Sequence, residues 1–163
     1  MIRIIVEFIL IIAAFILQSS VLTLVSLGGI VPNLLIILTA SFGIMRGRKE
    51  GMSVGFVCGL CVDIFFGNFL GFYALVYTFI GYLNGSFSSM FYPEDVKLPM
   101  IMISASEIIY CFICYVFLFL LRGRLHIGYY IVHIILPEIV YTIVATILLY
   151  RGILFVNEKL EKL

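Results

Sequence analysis

Residues Ile4–Val25 read I-I-V-E-F-I-L-I-I-A-A-F-I-L-Q-S-S-V-L-T-L-V, an apolar run with one charge, Glu7. A helix needs about 20 apolar residues, at about 1.5 Å each, to cross about 30 Å of hydrocarbon. This run is long enough, and so are Met100–Leu121 and Tyr129–Tyr150. Arg3 followed by Ile4–Leu17 imitates a signal peptide. No small-x-small cleavage site follows, so the segment reads as an uncleaved first helix. The whole chain agrees with the run: 64% of its 163 residues are hydrophobic and 12% are charged, with a mean hydropathy of +1.24. Ordinary soluble domains carry about 25% charged residues. Disorder is excluded by the hydrophobicity. Ten Lys+Arg against nine Asp+Glu leave no basic excess for nucleic acid. The chain reads as one all-α integral membrane domain over residues 1–163.

Charges and helix breakers divide it into six expected transmembrane helices: Ile4–Ser26, Ile30–Met45, Met52–Phe66, Phe69–Met90, Met100–Leu121 and Tyr129–Tyr150. The second and third, at 16 and 15 residues, are short; fifteen residues cover only about 22 Å. A re-entrant pair is the alternative, but it would carry Arg46-Gly-Arg-Lys-Glu50 into the bilayer. Two short spans with that cluster in water are therefore expected. Short basic loops stay cytoplasmic. An inside N-terminus puts Arg3, Arg46, Arg48, Lys49, Lys97, Arg151, Lys159 and Lys162 on the cytoplasmic side, and only Arg122 and Arg124 outside. Both termini are then cytoplasmic, and Arg122 and Arg124 read as interfacial anchors.

Glycine is the most ordered feature inside the spans. Gly43, Gly47, Gly51, Gly55 and Gly59 recur every four residues, with Asp63, Gly67 and Gly71 in the same step. Gly51, Gly55 and Gly59 make a smooth stripe for close helix packing, within the chain or against a partner's helix. A four-residue step drifts around a helix, so a crossing helix or two neighbours should meet it. Gly81 and Gly85 form a second, weaker pair. Four carboxylates fall inside the expected spans: Glu7, Asp63, Glu107 and Glu138. No Lys or Arg lies in a core segment to pair with them, and each charge costs about 2.5–3.5 kcal/mol at a helix centre. Asp63 and Glu138 are expected to be polar locks between helices. A proton or cation path, or a ligand cavity, is the other reading, and Glu107 has no assigned role.

Pro137 cannot donate to the His133 carbonyl and should kink the sixth helix, with Glu138, Tyr141 and Thr142 on one face beyond it. The basic turn Arg46, Arg48 and Lys49 reads as a topology signal, with contact to anionic lipid or cytoplasmic partners as its functional reading. Cys58/Cys61 and Cys111/Cys114 are C-x-x-C pairs set in apolar helices, where a thiolate is disfavoured; neither is assigned a metal. No phosphate-binding, nucleophile-elbow or zinc-protease motif occurs, and no acidic cluster suited to a divalent metal, so no enzyme, metal site or bound cofactor is expected.

Several motifs occur in a telling order. V-P-N-L-L (Val31–Leu35) precedes R-G-R-K-E-G (Arg46–Gly51), G-x-x-x-G-x-x-x-D (Gly55–Asp63), G-F-Y-A-L (Gly71–Leu75) and G-Y-L-N-G (Gly81–Gly85). Y-P-E-D (Tyr92–Asp95) and P-E-I-V-Y-T (Pro137–Thr142) follow. Together they resemble the bacterial rod shape-determining protein MreD family. The resemblance implies a non-enzymatic subunit of the cell-elongation complex in the bacterial cytoplasmic membrane. Its partner would be an MreC-like single-span protein, linked to RodA, a penicillin-binding transpeptidase and, indirectly, MreB filaments. It also implies a bundle like the substrate-binding subunits of energy-coupling-factor transporters. The alternative function is therefore a vitamin- or metal-binding transport subunit. The A-x-x-x-A docking motif common in such subunits is absent from the first helix, where Ala13 and Ala14 are adjacent.

Overall fold

The computed structural model describes residues 1–26, 28–123 and 126–162. Arg124, one of the two expected outer basic residues, lies outside them. The described chain is all-helical, with six main helices and no β-strand. α1 spans Ile2–Ile16 and continues through a π-turn, Leu17–Val21, to Leu24. α2 is Leu34–Arg46, α3 Arg48–Phe66, α4 Phe72–Ser86 and α5 Lys97–Leu118. α6 opens at Ile127–Tyr130, passes a π-turn at Ile131–Ile135 and runs on as Leu136–Glu161. Three segments are long and apolar enough to cross a membrane: Ile2–Leu24, Lys97–Arg122 and Ile127–Glu161, of 23, 26 and 35 residues.

The lengths of the inner helices correct one expectation. α2 is short, at 13 residues, but α3 has 19, and the other short helix is α4, at 15. The expected loop Arg46–Gly51 is mostly helix. Gly47 alone makes the break, at φ +97, where a side chain would be strained. Arg48, Lys49 and Glu50 then form the first turn of α3.

α2 sits at the centre. Every residue from Leu34 to Ile44 is buried, and the helix touches all five others. A helix apolar on all sides belongs in an interior. Being wrapped by protein, α2 has no lipid boundary to match in length, which gives its shortness a physical reason. Its start is fixed by Asn33, whose side-chain oxygen accepts from the Ile36 N–H at 3.3 Å. Such a cap is worth about 1 kcal/mol.

Candidate functional site

Three polar or close-packed regions lie within this bundle. In the first, α3 and α4 meet backbone to backbone. A Cβ placed on Gly51 would strike the Gly81 carbonyl, one on Gly55 the Tyr77 carbonyl, and one on Gly59 the backbone of Ala74. Gly85 faces the backbone of Arg48 in the same way. The pairs 48/85, 51/81, 55/77 and 59/74 run in opposite directions, so the helices are antiparallel. α4 takes the whole glycine stripe, and α2 joins at Gly43, which abuts Gly51. Rows of residues four apart on two helices interlock when the axes cross.

Asp63 closes this seam. Only 3% exposed, it accepts backbone N–H bonds from Gly71 (3.0 Å) and Ala74 (2.9 Å) at Oδ2 and from Tyr73 (3.0 Å) at Oδ1. These are orphan donors at the start of α4, where the helix dipole also favours an anion. Gly71, at φ +101, gives the tight entry that brings them within reach.

The second region joins α5 and α6. Glu107 is fully buried, and Glu138 is partly so. Cys111 lies one turn after Glu107, with its Sγ 3.8 Å from Glu107 Oε1 and 3.7 Å from Glu138 Oε2. Thirty-one residues apart in sequence, the two acids become neighbours only through folding. α6 is irregular on its approach: the π-turn Ile131–Ile135 directly precedes Pro137. The expected break at Pro137 thus takes the form of a widened turn, which absorbs the missing proline N–H. Thr142, not Tyr141, reaches inward from this stretch; its Oγ1 accepts from the Asn33 N–H at 3.1 Å. The Tyr77 hydroxyl donates to Asn33 Oδ1 at 3.0 Å. Tyr141 is half-buried beside a groove bordered by Val132, Leu136 and Val140.

The third region is an ion pair between Arg46 and Glu7, both side chains about nine-tenths buried. Arg46 Nε also donates to Asn157 Oδ1 at 2.6 Å, and Asn157 Nδ2 donates to Glu161 Oε1 at 3.1 Å. The ends of α1, α2 and α6 are tied together here. The sequence suggests no cation beside these carboxylates and a water-facing turn for Arg46. Arg46 turns inward instead, and of that turn Arg48 and Lys49 stay exposed. The signal was available, since Arg46 ends an apolar helix and Glu7 lies one turn inside another. Of the C-x-x-C cysteines, Cys58, Cys111 and Cys114 are buried, and all four thiols are free.

Membrane-length apolar helices around a buried, hydrogen-bonded polar interior define an integral membrane protein. The family model for rod shape-determining protein MreD matches residues 1–157, and the chain belongs to that family. Neither the curated proteins nor the solved structures return a match.

Proposed function

We propose that the chain is a non-enzymatic scaffold subunit of the cell-elongation complex, acting in cell-shape maintenance and lateral peptidoglycan synthesis. The observation that carries this reading is the family match over residues 1–157. In this reading the six helices all cross the bacterial cytoplasmic membrane, with both termini inside. An MreC-like single-span protein binds laterally, and RodA with its transpeptidase and, indirectly, MreB filaments belong to the same assembly. The basic residues Arg48 and Lys49 meet anionic lipid or a cytoplasmic partner. The bundle's inner surfaces support a lateral mode of action. Gly51, Gly55 and Gly59 are consumed by α4, whereas many large apolar residues of α1 and α6 face outward, Ile4, Ile9, Val140 and Leu148 among them.

One observation favours a second reading, a substrate-binding transport subunit: the buried acidic cluster of Glu107, Cys111 and Glu138. Depletion of the protein in a rod-shaped host separates the two. Rounding of the cells is the expected outcome. Unchanged rods that lose uptake of a vitamin or metal would replace the scaffold with the transporter.

A further inference from the structure

Glu107, Cys111 and Glu138 each bring a possible ligand atom within 4.8 Å of the others. Glu107 and Cys111 stand at i and i+4 on one face of α5, the spacing by which a single helix offers two ligands to one ion. Glu138 completes the set from α6, just past the π-turn and Pro137. Ionised carboxylates are acceptors only, and a thiol carries one proton. Cys111 Sγ contacts an oxygen of each carboxylate, at 3.8 and 3.7 Å, and cannot donate to both at once. Glu107 Oε2 has no hydrogen-bond partner although the residue is fully buried. The ion pair among the described residues is Arg46–Glu7, elsewhere in the bundle. With both acids ionised the cluster is short of positive charge and of donors, in a setting where both are costly to lack.

The structure assigns a function to this deficit: we propose that Glu107, Cys111 and Glu138 bind one divalent transition-metal ion of the zinc class. A tetrahedral zinc with Zn–S of about 2.3 Å and Zn–O of about 2.0 Å sets S···O distances near about 3.5 Å. The observed separations of 3.7 and 3.8 Å lie close to that. On binding, the Cys111 thiol gives up its proton; the thiolate and one carboxylate neutralise a divalent cation while the other acid ligates in its protonated form, and the sulfur ligand selects zinc-class ions over magnesium or calcium. Bound there, the ion fastens α5 to α6 across the least regular part of α6. The cluster's geometry and chemistry carry this site, which does not depend on the scaffold role.

The test uses the full chain, purified in detergent, stripped of metal and titrated with Co2+ alone. The expected result is one Co2+ per chain, with thiolate-to-cobalt charge-transfer absorption that Zn2+ abolishes by displacement. Cys111→Ser removes the absorption, whereas Cys58→Ser and Cys61→Ser keep it. Glu138→Gln weakens binding by about tenfold or more, since losing a ligand costs no less than losing a partner behind one. It serves as the deciding variant if Cys111→Ser fails to fold. No stoichiometric Co2+, an absorption that survives Cys111→Ser, or unchanged affinity in Glu138→Gln would each overturn the proposal.

Discussion

Along α3 and α4 the backbones touch, with Gly51, Gly55 and Gly59 set against Gly81, Tyr77 and Ala74. α5 and α6 instead meet through side chains, with Glu107 and Cys111 reaching Glu138. The first contact owes its strength to the absence of side chains. In lipid no hydrophobic drive pulls helices together, so close van der Waals approach and satisfied polar groups must do it. Asp63 adds the polar part and uses every hydrogen bond it makes on backbone donors. The second contact holds one buried polar atom without a hydrogen-bond partner, Glu107 Oε2, beside a π-turn and a proline. The first region is fixed by packing, and the second is where the proposed ion would bind.

Substitutions that put bulk into the seam should have the largest effect. Gly59→Leu or Gly55→Leu drives a side chain into backbone that cannot yield, so the cost should exceed the usual about 1–3 kcal/mol of overpacking. Neither variant should accumulate in membranes, as judged by immunoblot; wild-type levels of both would remove the seam from the account. Asp63→Ala comes next. It strips three donors of a charged partner, and a loss of about 2–3 kcal/mol is expected, read as a lower Tm in detergent. Asp63→Asn should recover part of it, because an amide oxygen still accepts.

The acidic pair should respond to chemistry more than to size. Glu138→Gln keeps an acceptor and nearly the same shape, so it should support rod shape better than Glu138→Leu in a complementation assay. Equal failure of both would mean that the charge itself is required. Arg48→Gln and Lys49→Gln lie at the surface and should change stability by less than about 0.5 kcal/mol. A larger loss would show that the basic turn belongs to the packed region.

Most of the helical frame was legible because charges and breakers end membrane helices. Ile4–Ser26 and Met100–Leu121 match helices within a few residues for that reason. The start of α3 is hidden because Arg48-Lys49-Glu50 suggests a water-exposed loop, whereas one glycine at positive φ, Gly47, suffices to turn the chain. The glycine stripe was visible as a period, but its partner was not, since which backbone fills it is a tertiary fact. The partners of Glu7, Glu107 and Glu138 were the least legible part. Glu7 was paired by a residue counted as part of a loop, Arg46. Glu107 and Glu138 were each judged alone, because spacing within one helix cannot reveal an acid on another. The irregular stretch before Pro137 was the one local hint of where they meet.

Lateral contact within the elongation complex, the mode of action proposed for this chain, predicts which proteins accompany it in the membrane. The tagged protein would be extracted in mild detergent and its partners identified by mass spectrometry. Recovery of an MreC-like single-span protein, with or without RodA and its transpeptidase, is the predicted result. Recovery instead of a coupling-factor membrane subunit with two ATPases would contradict the account and make the chain a transport subunit.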